Sequence, residues 1–183
     1  MDTYALTKLI ASVKEVDCRK RLHKCVFLLQ LAGLDMKAEY CLHYYGPFSR
    51  DVAEATDLLT QSKILAETEI PNPMGASYSY RITPKGAAML SDYEASPEGT
   101  GACKKVSAFI DRFEGLMKVP LWTLELASTV AFYRFVRNRA SGEARAMTAE
   151  FKHVRPNASV LDDAEKIAER FAPFAHLDEK LFV

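Results

Sequence analysis

The chain has 183 residues, of which 49% are hydrophobic and 26% charged, and this balance excludes an intrinsically disordered protein. Lysine plus arginine equals aspartate plus glutamate at 24 each, so binding of nucleic acid would require a local basic patch. No apolar run approaches the roughly 20 residues that cross a bilayer, the N-terminus lacks the apolar core of a signal peptide, and the cysteines show no disulfide framework. These features predict a cytoplasmic protein with no membrane contact.

Two helices are predicted at the start of the chain. Apolar residues at helical spacing predict the first over about residues 3–16. The second is predicted to begin at an N-cap at Asp17 and to stop at Gly33. A short extended segment at 41–45 then leads to a chain break at Gly46-Pro47.

A third helix and a hairpin follow the break. Ser49 is the predicted N-cap of the helix, and Asp51 lies in its first turn, where the helix dipole favours a carboxylate. Residues 63–68 and 77–82 are predicted to form two strands joined by a loose tip, and Thr83-Pro84 begins another helix. The buried stripe of the third helix is predicted to consist of Val52, Ala55, Thr56 and Leu59. Three helices followed by a two-stranded wing is the plan of a winged helix-turn-helix.

The second half of the chain is predicted to be helical. Residues 91–103 are polar and rich in glycine, and they predict a linker. The apolar segment 121–136 should be the most buried helix beyond it. We therefore predict an α+β, mostly α, protein with a winged-helix domain at 1–92, a linker at 93–103 and an all-helical C-terminal lobe at 104–183.

Three segments resemble a widespread group of small prokaryotic winged-helix proteins. They are RKRLHKCVFLLQ (19–30), HYYGPFSRDVAEATDLLTQSKIL (43–65) and YSYRITPKG (78–86). Members of that group show a Lys-Leu-x-Lys-hydrophobic helix, a Tyr-Gly-Pro-Phe/Tyr-Ser turn and a Tyr-x-Leu-Thr-x-x-Gly junction. The group is related both to transcriptional regulators and to Panacea-type antitoxin domains, so the resemblance implies the fold of the first half of the chain more firmly than its function. Ser62-Lys63 departs from the pattern, because glycine is usual before the first wing strand.

One hypothesis is a DNA-binding transcriptional regulator. The only concentrated basic patch would place four side chains on phosphates: Arg19, Lys20, Arg21 and Lys24. A solvated helix face is the alternative interpretation of such a run. The residues near the bases would be Ser49, Arg50 and Gln61 on the third helix, with Arg81 on the wing.

The other hypothesis is a protein-interaction module, such as an antitoxin or a defence-system adaptor. The third helix carries Asp51, Glu54 and Asp57, which would repel a polyanion and suit a basic partner protein. Tyr45, in the aromatic segment before the helix, is a further candidate contact, since tyrosine is enriched in interface cores. Either kind of protein is expected to form a homodimer through the helical lobe.

Catalytic and metal-binding patterns are weak in this sequence. The cysteines and histidines between Cys18 and His43 form no CxxC knuckle, and no serine lies in a GxSxG elbow. Gly99–Gly101 has no following lysine at phosphate-loop spacing. We therefore expect neither an enzyme nor a bound cofactor or metal, and the partner is either double-stranded DNA or a basic protein.

Overall fold

A computed structural model describes residues 1–72, 75–173 and 178–182 of the chain. The helices are α1 (Thr3–Ser12), α2 (Arg19–Leu31), α3 (Arg50–Gln61), α4 (Pro84–Glu94), α5 (Pro97–Ser107), α6 (Ile110–Met117), α7 (Leu121–Ala131), α8 (Ser141–Phe151) and α9 (Ser159–Arg170). A π-helical turn, Phe132–Val136, extends α7, and a 3-10 turn, Glu179–Leu181, lies near the C-terminus. The strands are β1 (Cys41–His43), β2 (Gly46–Phe48), β3 (Leu65–Asn72) and β4 (Gly75–Ile82). The α+β, mostly α, class is confirmed.

Helix α2 is the centre of the structure. Every residue from Arg21 to Leu31 is buried, so this helix is covered on all sides. Helices α6 and α7 and strands β2 and β4 pack around it. The hydrophobic side chains that surround α2 form one continuous core, and they come from both halves of the chain.

The strands form two antiparallel hairpins. In the short one, β1 pairs with β2, and Leu42 is opposite Pro47. In the long one, β3 pairs with β4, and Glu67 is opposite Tyr80. The predicted hairpin is confirmed, and each strand is longer than the sequence indicated. A single bridge between Val16 and Tyr80 joins the chain between α1 and α2 to β4.

The ends of the first two helices differ from the prediction. Helix α1 ends at Ser12, because Val16 leaves the helix to exchange backbone hydrogen bonds with Tyr80. The N-cap of α2 is Cys18, whose sulfur accepts from the Arg21 amide at 3.4 Å. Asp17, the predicted cap, instead accepts a hydrogen bond from the Arg21 guanidinium.

Helix α3 begins where the sequence predicts. The Ser49 hydroxyl accepts from the Val52 amide, and the predicted apolar stripe is buried. At the other end, the Ile64 amide donates to the Leu59 carbonyl, which is the long bond of a Schellman motif. The residue that turns the chain there is Lys63, with φ of +59°.

The segment predicted as a linker is mostly helical. Helix α4 continues to Glu94, and α5 begins at Pro97, with the Ser96 hydroxyl accepting from the Gly99 amide. Gly99 lies so close to the Tyr93 carbonyl that a Cβ atom there would clash. The glycine that the sequence suggests for flexibility therefore allows α5 to pack against the end of α4.

The two halves of the chain do not have separate main cores. Side chains of the predicted helical lobe, including Phe113 and Phe132, belong to the same hydrophobic core as α1 and α2. The chain near the C-terminus also returns to the first half, where the Tyr40 amide donates to the Leu181 carbonyl. A smaller apolar cluster lies between α7, α8 and α9.

Helix α7 is deeply buried, as predicted. From Leu124 to Tyr133 every residue is buried, so this stretch offers no exposed face to a second copy of the chain. Dimerisation through the helical lobe stays a prediction. Among the described residues, no helix combines the length and the apolar character needed to span a membrane.

Replacing Lys63 by glycine should stabilise the protein. A side chain in the left-handed region costs about 1–2 kcal/mol, and glycine removes this strain at a cost of about 0.4–1 kcal/mol in unfolded-state entropy. Since the Lys63 side chain is exposed, we expect a net gain of about 0.5–1 kcal/mol, measured by urea denaturation as a higher midpoint with an unchanged slope. Lys166→Gly in the middle of α9 is the matched control and should lose about 1 kcal/mol. A loss of stability in Lys63→Gly would contradict the backbone assignment.

Candidate functional site

Helix α3 is held against the core by its apolar stripe and by its N-terminus. The Ser49 amide donates to Nδ1 of the buried His23 at 3.4 Å, while the Ser49 hydroxyl caps the helix. Burial, together with the nearby positive charges of Lys24 and Arg19, lowers the pKa of His23 to about 3. The imidazole is therefore neutral at ordinary pH and serves as an acceptor for the start of α3. Because Ser49 is fully buried, its predicted role near DNA bases is wrong.

Arg19 is the one basic side chain of the predicted patch that reaches α3. Its guanidinium donates to Asp57 Oδ1 at 2.7 Å, to Glu67 Oε2 at 3.0 Å and to the hydroxyl of Tyr80. It also lies over the ring of Tyr78 at 5.3 Å. These contacts tie the N-terminus of α2 to α3 and to the long hairpin, and two carboxylates more than neutralise the charge.

Two other predicted phosphate contacts are inside the protein. Arg21 donates to Asp17 Oδ1 and to the carbonyl of Val119, both at 2.6 Å, and only 6% of the residue is exposed. Lys24 is 2% exposed and donates to the carbonyl of Pro47 at 2.7 Å. The prediction that these side chains contact phosphate is wrong, because both are used to join α2 to neighbouring segments.

The remaining predicted DNA contacts are exposed. Arg50 lies at the first position of α3 and Gln61 at its last, on the same side of the helix, and Arg81 lies near the end of β4. Within the described part of the chain, none of the three makes a side-chain hydrogen bond or ion pair. Lys20 is 44% exposed and extends toward Glu125. With Arg21 and Lys24 buried and Arg19 paired, the predicted DNA-binding side chains do not form one basic surface.

The acidic residues of α3 lie on the same side of the helix as Arg50 and Gln61. Glu54 and Asp57 are opposite the buried stripe, and Asp51 lies at the edge of that side, where its carboxylate accepts a hydrogen bond from the Glu39 amide at 2.7 Å. Glu54 is exposed, and Leu58, four residues further along the helix, is 57% exposed. We call Asp51, Glu54, Asp57 and Leu58 the acidic face of α3. Leu58 is not among the predicted contacts, although the helical spacing of the apolar residues places it outside the buried stripe.

Tyr45, the fourth predicted partner contact, does not belong to this face. It lies in the turn between β1 and β2, where the Lys20 ammonium is 4.0 Å from the centre of its ring. The same turn lies against α7, and Gly46 is required there. Its φ is +92°, and a Cβ atom would come within 2.7 Å of the Thr129 hydroxyl.

A second group of functional side chains surrounds this turn. Glu125 on α7 is nearly buried, and the ammonium groups of Lys152 and Lys20 lie 3.5 and 3.9 Å from its carboxylate oxygens. Lys24 lies behind the turn, and Tyr44 and Trp122 are exposed beside it. We call this group the lysine–aromatic site, and it consists of Lys20, Lys24, Tyr44, Tyr45, Trp122, Glu125 and Lys152. Sequence reasoning missed Trp122, Glu125 and Lys152, because they are far along the chain from the basic patch.

Comparison with known proteins adds a relative but no activity. No protein-family model matches the chain. The chain is 25% identical over 129 residues to YwgA, an uncharacterized protein of Bacillus subtilis (strain 168), and the match covers 70% of this chain and 72% of that protein. The function is therefore inferred from the geometry of the acidic face of α3 and of the lysine–aromatic site.

The buried Lys24 should make stability depend on pH near neutrality. Burial lowers its pKa to about 7, although Glu125 acts in the opposite direction, whereas an unfolded lysine has a pKa of roughly 10.4. Above about pH 7 the unfolded chain binds more protons at this group than the folded chain does, so the free energy of unfolding should rise by on the order of 1 kcal/mol between about pH 7 and pH 8.5.

Lys24→Met, measured by urea denaturation across the same window, should flatten that rise. The quantity to compare is the slope of the free energy of unfolding against pH, because the substitution also changes the stability itself at every pH. An equal slope in the wild type and Lys24→Met would contradict a lowered pKa at this position. Lys166→Met, at a lysine whose side chain is 74% exposed, is the control and should leave the slope unchanged.

Proposed function

We propose that this protein is a winged-helix interaction module that binds a basic partner protein through the acidic face of α3. The observation that carries the proposal is the use of the basic patch within the fold. Arg21 and Lys24 are buried, and Arg19 is paired with Asp57 and Glu67. The helix that would contact DNA in a winged-helix protein therefore receives no free basic side chain from this patch, and its own basic residue is Arg50 at its first position.

The order and pairing of the elements support a winged-helix arrangement. Helices α1, α2 and α3 precede the long hairpin, and a single bridge between Val16 and Tyr80 joins the segment between the first two helices to β4. The β1–β2 hairpin is inserted between α2 and α3.

The charge on this side of the molecule opposes DNA binding. Affinity for DNA requires several phosphates to be neutralised at once by lysine or arginine. The hairpin has no basic residue from Thr68 to Ser79, and its one charged residue in that span is Glu69. Arg81 lies near the base of the hairpin, so it does not extend the reach of the wing.

The chemistry of the acidic face suits a partner with lysine or arginine side chains around an apolar residue. Glu54 is exposed and can accept hydrogen bonds from a guanidinium, which are shorter and stronger than neutral ones. Leu58 offers an apolar side chain beside the carboxylates, as the centre of an interface requires. This is the class of partner that an antitoxin or adaptor protein would have, as the sequence predicts.

The first experiment asks whether DNA is bound. Purified protein is mixed with genomic fragments at about 50 mM salt, where nonspecific binding is strongest, and analysed by electrophoretic mobility shift. We expect no shift. A mobility shift, together with an affinity for DNA that falls steeply as the salt concentration rises, would overturn the proposal in favour of the DNA-binding regulator.

The second experiment tests the acidic face directly. Tagged wild-type protein is purified from its source organism, the retained proteins are identified by mass spectrometry, and binding is repeated with each purified candidate. We expect Glu54→Lys and Leu58→Ser each to weaken binding of a basic partner at least about tenfold, because like charges or a lost apolar contact at an interface cost more than 1.4 kcal/mol.

The matched control for the second experiment is Asp163→Lys, which reverses an exposed charge on α9. This variant should bind the partner as the wild type does. A partner whose affinity is the same for wild type and Glu54→Lys binds elsewhere and contradicts the proposal.

A further inference from the structure

The lysine–aromatic site concentrates positive charge in one place, although the whole chain is formally neutral. Three lysines surround the single carboxylate of Glu125, which is 6% exposed. Lys152 contributes the closest ammonium, at 3.5 Å, and Lys20 the next, at 3.9 Å. The ammonium groups of Lys20 and Lys152 alone outweigh the one carboxylate, so the site attracts a further negative charge.

Two of the ammonium groups have unused hydrogen-bonding capacity. Lys152 donates to the carbonyl of Tyr44 at 3.3 Å and to Glu125 at 3.5 Å, both longer than the usual 2.7–3.2 Å range. Within the described residues, the Lys20 ammonium makes no hydrogen bond, and it lies on the ring of Tyr45. An ammonium carries three donors, so the exposed Lys20 can bind an anion, and Lys152, whose side chain is 5% exposed, can add a hydrogen bond to an anion inside the cavity that it lines. Lys24 already has a partner at 2.7 Å, the carbonyl of Pro47, and its role is to hold the turn.

Aromatic side chains border these charges and are open to solvent. Tyr44 is 68% exposed, Tyr45 45% and Trp122 44%, and they are among the most exposed large hydrophobic side chains of the protein. The rings of Tyr44 and Tyr45 meet edge to face with centres 5.2 Å apart. Exposed aromatic rings next to cations are an arrangement that stacks flat ligands and binds their phosphates.

Two adjoining cavities provide space for such a ligand. One has a volume of about 230 Å³ and is lined by both tyrosines, Trp122, Glu125 and Lys152. The other has a volume of about 280 Å³ and extends toward His43 and Phe48. Lys20 and Tyr45 line both cavities, so a rotation of these two side chains would connect them. Each cavity is smaller than the usual range for ligand pockets, roughly 300–1,000 Å³, and only the two together lie within it.

We propose that the lysine–aromatic site binds a small phosphorylated molecule with a flat ring, of the mononucleotide class. The phosphate contacts the ammonium groups of Lys20 and Lys152, and the ring stacks on Tyr44, Tyr45 or Trp122. Glu125 holds the two lysines in position and keeps the net charge of the empty site low. This inference does not depend on the acidic face of α3, which uses different side chains.

The protein contains its own probe for this site. Trp122 is the only tryptophan in the chain, so intrinsic tryptophan fluorescence reports on this site alone. The experiment titrates the full-length protein at low salt with AMP, with adenosine and with inorganic phosphate. Free N-acetyltryptophanamide measured in parallel corrects for light absorbed by the purine.

The expected result has three parts. AMP quenches Trp122 with a saturable curve, adenosine binds at least about tenfold more weakly because it lacks the phosphate, and inorganic phosphate raises the apparent Kd for AMP by competition. Lys20→Met and Lys152→Met each weaken AMP binding at least about tenfold, and Lys166→Met, on the exposed face of α9, leaves it unchanged.

Other results would overturn the proposal. No saturable quenching at millimolar AMP, equal affinity for AMP and adenosine, or equal affinity in Lys20→Met and the wild type would each do so. Lys20 is 44% exposed, so its substitution should preserve the fold even if that of Lys152 does not, and circular dichroism verifies this. Phosphate binding with no preference for AMP would overturn the assignment of the aromatic rings.

Discussion

Helix α2 carries polar side chains into the centre of the protein, and the surrounding segments are placed where they can accept hydrogen bonds from these side chains. Arg21 is satisfied by Asp17 and by the carbonyl of Val119 before α7, while Lys24 is satisfied by the carbonyl of Pro47. A buried polar group without a partner costs roughly 1–3 kcal/mol, and a charged one costs more. The β1–β2 turn and the α6–α7 junction are thus fixed relative to α2 by the need to satisfy these groups.

This constraint explains the Tyr-Gly-Pro-Phe-Ser segment as a structural element. Pro47 presents its carbonyl to Lys24, and Gly46 adopts a backbone conformation and a closeness to Thr129 that a larger residue could not. The turn also leaves Tyr44 and Tyr45 exposed beside the lysines. A segment that the resemblance marks as typical of its group therefore joins the first half of the chain to α7 and shapes the lysine–aromatic site.

Local signals predicted much of the fold, because caps and periodic apolar residues act over a few neighbouring positions. The start of α3 at Ser49 and the long hairpin are examples. The segment predicted as a linker contains the start of α5. Ser96, Pro97 and Glu98 are good N-cap and first-turn residues, whereas the nearby glycines are typical of a loop. The burial of Arg21 and Lys24 was not predictable in this way, because a charged residue is assigned to the outside unless its distant partner is known.

The basic patch shows why composition alone was a poor guide to function. Four basic residues that are neighbours in sequence serve separate purposes: Arg19 joins α2 to α3 and the hairpin, Arg21 and Lys24 connect α2 to distant segments, and Lys20 extends toward Glu125. Consecutive residues of a helix are about 100° apart around its axis, so one short run reaches several surfaces. The same geometry pairs Arg19 with Asp57 of α3 and places Lys20 beside Glu125 and the ring of Tyr45.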